Sequence, residues 1–260
     1  MEVLGIPVPP EVLASWAGWL APARQPFFLT AEEDAALGLE TVPRAEADRI
    51  AWLTEKDWLA LSPVSRHAPL RAQVRHGWGA VPPVRDFADL IPQLTGRRFV
   101  WWPSLMAPAV LARVVAQGQL ECRRAEVSDA VWTAAAPLLP RARELAGTFP
   151  HASGPNCFGT VMGAAGVPGA EREWMQREPF ESFLAERAAP GGHDDYPGTV
   201  LVWRDGSSQV QHAAVTLGGG WALHKASQSW MTPRVVLPAS ELIRWCRTRG
   251  WHLHRSRLRG

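Results

Sequence analysis

Three residues in the second half of the chain, Cys157, His212 and His224, have the types and spacing needed for nucleophilic attack on a carbonyl. Asn156 is a good helix N-cap, which would put Cys157 in the first turn of the helix that follows. The positive end of the helix dipole stabilises thiolate there and lowers the thiol pKa. Such a nucleophile needs a base within hydrogen-bond reach. His212 sits in an apolar run from Gln209 to Leu217, and His224 follows twelve residues later across Gly218-Gly219-Gly220. Side chains alternate along a strand, so two neighbouring antiparallel strands can hold both imidazoles on one face. His212 would then be the base and His224 the residue that orients its ring from the far nitrogen. Backbone N–H groups at the start of the Cys157 helix would face a developing oxyanion.

The elements that must position these residues are legible around them. Ser128 can cap a helix running to about Ala146, with Val131, Leu138, Leu139 and Leu145 on one side. A Gly/Pro loop, His151 to Asn156, leads into the small-residue segment Phe158–Ala165. Glu171 to Arg187 reads as one or two helices, broken or begun at Pro179. Strands follow: Thr199–Trp203, then the Asp205-Gly206 turn, Gln209–Leu217, Trp221–Lys225 and Arg234–Leu237. Ser240–Thr248 is a helix closed by Gly250, and Trp251–His254 a final strand. Helices first and an antiparallel sheet after them make an α+β unit.

At these residues the chain resembles the NlpC-type papain-like cysteine peptidases. The match runs through Gly154-Pro-Asn156-Cys157-Phe-Gly159, Gly198-Thr-Val-Leu-Val-Trp203, His212-Ala-Ala-Val-Thr-Leu-Gly218 and Trp221-Ala-Leu-His224, and covers roughly Ser128 to Leu237. That family has a cysteine at a helix start, a following strand, a strand opening on histidine, and a third polar residue about twelve positions on. The resemblance implies a papain-like domain with Cys157 as nucleophile, His212 as base and His224 as the orienting residue. It implies hydrolysis of an amide bond through an acyl-enzyme, with no metal or organic cofactor, on cell-wall peptides in most members. Three positions depart from the family: Asn156 for its usual Asp, Phe158 for Ser in Cys-Ser-Gly, and Thr199 for a frequent Asp. With them, an intracellular peptide, a recycled wall fragment or a small acylated amine becomes the expected substrate. Asn156, Tyr196 and Trp203 are the candidate substrate contacts. Two alternatives stay open: a silent papain-like binding or regulatory module, and an acyltransferase using the same nucleophile.

The rest of the chain mainly excludes. A formal net charge of +2 over 260 residues argues against a global electrostatic nucleic-acid binder. The arginine-rich run Arg244–Arg259 reads as a solvated helix face and a loose terminus. Three cysteines, Cys122, Cys157 and Cys246, without Cys-x-x-Cys give no disulfide framework or cysteine zinc site. Cys246 is expected as a mid-helix core residue. His151 and the pair His193-Asp194 lack clustered partners, so no metal is expected. No stretch of 18 uncharged apolar residues and no basic-plus-apolar leader is present, so no membrane partner and a cytoplasmic location are expected. Residues 1–118 form an N-terminal domain of uncertain fold, and 119–260 the cysteine-bearing domain. In the former, Thr30-Ala-Glu-Glu opens a short helix, Glu46–Leu61 has helical spacing, Arg98–Trp102 suits a strand and Ala107–Gln117 a buried helix. Oligomeric state is not legible.

Overall fold

A computed structural model describes residues 1–43, 49–76 and 81–260. The chain forms two units, one of Met1 and Pro9–Val114, the other of Glu2–Val8 and Val115–Gly260. The stretch Glu2–Val8 thus belongs with the C-terminal unit.

In the first unit, helix α1 (Pro10–Leu20) begins on Pro10 at a position where a missing N–H costs nothing. Strands β3 (Arg24–Leu29), β4 (Thr41–Pro43) and β5 (Arg49–Thr54) form an antiparallel sheet in the order β3-β5-β4. Thr30 caps α2 (Ala31–Leu37) through the reciprocal box with Glu33 that the sequence predicts. The helical spacing read over Glu46–Leu61 does not become one helix. Residues 46–48 lie outside the described residues, Arg49–Thr54 is β5, and only α3 (Glu55–Ala60) is helical. A second capping box, Thr54 with Asp57, marks that start, and Ala51 and Leu53 point inward by strand alternation. Phe27 stacks on Trp58, and Trp102 packs tilted against both, at centroid separations of 5.5–6.3 Å. Helix α4 (His67–His76) packs on β3. Phe99–Trp102 is buried but irregular, and the exposed Arg98 before it makes a single bridge to Pro83, so the segment is not paired as a strand. Helix α5 (Pro108–Ala116) matches the expected segment.

The second unit is α+β. The hairpin β1 (Glu2–Val3) and β2 (Ile6–Pro7) opens it. Its six-stranded antiparallel sheet is built of β6 (Ala188–Pro190), β7 (Pro197–Arg204), β8 (Val210–Gly218), β9 (Trp221–Lys225), β10 (Arg234–Pro238) and β11 (His252–Leu258). The order β10-β9-β8-β7-β11-β6 makes β7 to β10 a meander. Strand β11 overturns the loose-terminus reading, since His252–Arg257 pairs along β7 from Arg204 to Thr199. The expected helix from Ser128 to Ala146 is two short ones, α6 (Asp129–Ala135) and α7 (Ala142–Leu145). Pro137 and Pro140 break it, each lacking the N–H that a continuous helix needs. Helix α8 (Cys157–Ala164) has all eight residues buried, followed by a 3₁₀ turn Ala170–Arg172 and α9 (Arg177–Arg187). Helix α10 (Ala239–Trp245) packs on β9 and β10. Among the described residues no helix is long and apolar enough to cross a membrane.

Candidate functional site

Asn156 caps α8 as its sequence suggests. Gly159 N–H donates to Asn156 Oδ1 at 3.0 Å, and the Asn156 amide donates in turn to Met175 O at 2.7 Å. Cys157 therefore occupies the first helical position. Its thiol lies against the backbone N–H of Ala213, the residue after His212, and its own N–H and that of Phe158 also face the sulfur.

Strand register brings the imidazoles together. Thr216 on β8 faces Ala222 on β9, so counting by twos places His212 and His224 on the side carrying that pair. Their Nε2 atoms meet at 2.7 Å. Trp203, the cross-strand partner of His212, packs its ring 5.4 Å from that imidazole, and Trp245 packs 5.3 Å from His224. A third donor atom closes the group, because Cys246 Sγ stands 3.7 Å from His224 Nε2. Among the described residues, this is the group of His, Cys and acidic side chains whose ligating atoms converge, all within 4.8 Å of one another. Cys157 stands outside it, and no hydrogen bond among the described residues joins its thiol to either imidazole.

Lys225, the next residue after His224, points to the opposite face of β9 and is fully buried. Its ammonium donates to three backbone carbonyls, Ser227 at 2.6 Å, Ser229 at 2.8 Å and Thr232 at 2.8 Å, and so organises the loop between β9 and β10. Burial and the Arg234 charge pull it down to about 7, and the nearby Cys157 opposes that shift. Across from it, Arg234 donates to Thr148 Oγ1 and to the Glu171 carbonyl. Burial pushes Glu171 up, but backbone N–H and Arg141 at 3.0 Å hold its carboxyl below the ordinary range.

The thiol is not activated in this closed form, contrary to the expectation from its helix position. Burial raises Cys157 to about 11, against the N–H groups of Ala213, Phe158 and Cys157 and the Lys225 charge. A helix terminus supplies roughly 0.3–2 kcal/mol, at most about 1.5 pKa units. Full burial shifts a thiol by up to about 3–5 units, so burial wins. The same burial lowers His212 to about 4 and, with repulsion from His212 and Lys225, holds His224 well below its ordinary value. Both imidazoles and the thiol are therefore stored neutral.

The other expected contacts divide. Asn156 and Trp203 adjoin Cys157 and His212, whereas Tyr196 is 67% exposed and packs its ring on His193. His193 and Asp194 serve structure: His193 O accepts from Thr199 Oγ1, and Asp194 takes both arms of Arg255 at 2.8 Å. Sequence reasoning missed Cys246 and Lys225 as site residues. A concavity of about 470 Å³ is lined by Arg124, Asp129, Trp132 and Arg143, and includes none of the residues above. Set against protein-family models, curated proteins and solved structures, the chain matches none.

Proposed function

We propose that the C-terminal unit is a cysteine amidase or peptidase of the papain-like type, acting on a peptide amide of the cell-wall kind. The observation that carries this reading is the 2.7 Å Nε2–Nε2 contact, which orients the His212 ring on the strand whose next residue, Ala213, meets the Cys157 thiol with its backbone N–H. Cys157 Sγ attacks the carbonyl carbon while its proton passes to His212 Nδ1. The oxyanion forms against the N–H groups of the first turn of α8. His212 then returns the proton to the departing amine as the C–N bond breaks, leaving a thioester. Water, deprotonated by the same imidazole, releases the acid and restores the thiol. A neutral imidazole is the form this sequence requires at its start, and burial keeps His212 neutral. His224 holds the ring through Nε2 and shares the positive charge that develops.

A second reading, a silent module with the same fold, is favoured by the sealed thiol, only 8% exposed and raised to about 11. Iodoacetamide labelling separates the two, with the modified cysteine located by peptide mass spectrometry in metal-free full-length protein. The amidase reading expects Cys157 to label at pH 7 by a route that needs His212, slowing on the order of 10²-fold or more in His212→Ala. Labelling with the titration of an isolated thiol, indifferent to His212→Ala, overturns it in favour of the silent module.

A further inference from the structure

We propose that His212, His224 and Cys246 form a binding site for a thiophilic divalent cation, zinc being the test case, and that its occupancy switches His212 off as a base. The site stands on geometry alone, and the switch rests on the amidase reading above. Two imidazole nitrogens and one sulfur converge within 4.8 Å, from β8, from β9 and from the C-cap of α10, with no carboxylate among them. A His₂Cys set suits zinc or another borderline-soft ion and is wrong for calcium or magnesium, which take oxygen ligands. Zinc–nitrogen bonds of about 2.0–2.1 Å and zinc–sulfur bonds of about 2.3 Å put tetrahedral N and S donors about 3.6 Å apart and two N donors about 3.3 Å apart. Cys246 Sγ is already 3.7 Å from His224 Nε2. The two Nε2 atoms, now 2.7 Å apart, need to open by about 0.6 Å to reach that N–N separation.

The protons balance simply. On binding, Cys246 loses its thiol proton to solvent, and each histidine gives its Nε2 lone pair to the metal while carrying its ring proton on Nδ1. Among the described residues the sealed Nδ1 of His224 has no hydrogen-bond partner, so none of them competes for that proton position. For His212 the same tautomer has a functional consequence. An Nδ1 that already bears a proton cannot take one from Cys157, so metal binding and nucleophile activation exclude each other. Three protein donors leave a fourth coordination position, and the 8% exposure of His212 is the side from which an ion would enter.

The test uses the full-length chain stripped with a chelator. Zinc is titrated in competition with a chromophoric chelator, and cobalt is read by its thiolate-to-metal charge-transfer absorption. The expected result is one ion per chain, unchanged affinity in Cys157→Ser, and a loss of at least about 100-fold in Cys246→Ser and in His224→Gln. Absence of stoichiometric binding, or loss in Cys157→Ser with retention in Cys246→Ser, overturns the site. Should Cys246→Ser fail to fold, the cobalt band of Cys157→Ser decides, and its absence overturns the site equally. The switch is read by iodoacetamide labelling of Cys157, which saturating zinc should slow to the His212→Ala rate. Zinc bound stoichiometrically with Cys157 labelling unchanged overturns the switch and leaves the site standing. A metal-free Cys157 already indifferent to His212→Ala overturns the amidase reading and the switch together, and again leaves the binding result untouched.

Discussion

Gly159, two residues after Cys157, offers the sharpest packing test of how the site is held. A Cβ built there falls on the carbonyl oxygen of Ala170 and comes within 3.3 Å of Glu173 O. Both are backbone atoms of the turn that lies against α8, so no side-chain rotation relieves the clash. One turn later, a Cβ at Gly163 would stand 2.8 Å from Glu171 Cβ, again closer than real contacts allow. Gly159→Ala gains roughly 1 kcal/mol of helix propensity. Overpacking against backbone costs about 3 kcal/mol, leaving a net loss near 2 kcal/mol. For a unit of about 150 residues, each kcal/mol moves the melting temperature by roughly 2–4 °C, so a fall of about 4–8 °C is expected. The functional effect should be larger. Relief requires α8 to move outward by several tenths of an ångström, carrying the thiol with it, and a misplacement of about 1 Å costs about 10²-fold in a reacting pair. The assay is a thermal melt paired with the Cys157 alkylation rate. Gly18→Ala, in the last turn of α1 with nothing within 4 Å of its Cβ, is the control expected to stabilise by up to about 1 kcal/mol. A Gly159→Ala protein that melts at or above the parent temperature and labels at the parent rate would refute the packing argument.

Other expectations follow from particular contacts. Lys225→Met leaves three carbonyls without their shared donor, and with part of that loop open to water the expected cost is about 3 kcal/mol in denaturant unfolding; an unchanged midpoint counts against the clamp. Asn156→Asp keeps the acceptor for Gly159 N–H but loses the donor to Met175 O, so it should cost about 1 kcal/mol, while Asn156→Ala loses both and should cost about 2 kcal/mol or more; equal losses would show the Met175 bond to be idle. The hydrogen bond and charge of Arg255 hold Asp194 below the ordinary carboxylate range. Its folded pKa is depressed, so the stabilisation is complete above about pH 4 and fades as pH falls through the folded value. Asp194→Asn should therefore lower the denaturant midpoint at pH 6 and match the parent near pH 2, and a gap that persists at pH 2 would mean its role is not electrostatic.

What could be read in advance was whatever depends on neighbours along the chain. Asn156 before a small-residue apolar run, Thr30 before Glu33, and glycines between β-branched runs each encode a local event, and α8, α2 and the β7–β10 meander formed where those signals stand. His212 and His224 could be paired because strand parity and one turn fix their relation. Cys246 could not. It reaches His224 only because the chain returns over β9 and β10 through α10, and mid-helix apolar spacing says nothing about that return. Lys225 reads as a polar strand end, yet it is buried because the following loop folds three carbonyls around it. Pro137 and Pro140 were visible breaks that apolar spacing overrode. The final strand read at Trp251–His254 runs on through the Arg-rich terminus to Leu258, where the alternation of exposed and half-buried residues gives little apolar signal. The thiol pKa failed for the same reason as Cys246: a helix start is local information, and burial is not.

The two faces of the central strands separate two kinds of chemistry. On the side of Lys225 and Arg234 the buried charges have partners, the ammonium three carbonyls, the guanidinium NH groups of Arg234 the Thr148 hydroxyl and the Glu171 carbonyl, and Glu171 the Arg141 guanidinium, with Arg234 Nε left unpaired among the described residues. On the side of His212 and His224 the groups are neutral donors without a counter-charge. Cys157 feels the first set, since Lys225 and three backbone N–H groups all favour its thiolate, and only burial opposes them. The favourable contributions are fixed in place, because the cap on α8 and the carbonyl cradle leave neither the helix start nor the ammonium free to swing. The one variable is therefore water. Any event that hydrates the sulfur, such as a substitution that loosens α8, removes the opposing contribution and leaves the others acting. The thiol pKa must then fall rather than rise, whatever the limiting rate of alkylation does, and a Gly159→Ala protein whose Cys157 labelling titrates at or above the parent midpoint would contradict this balance.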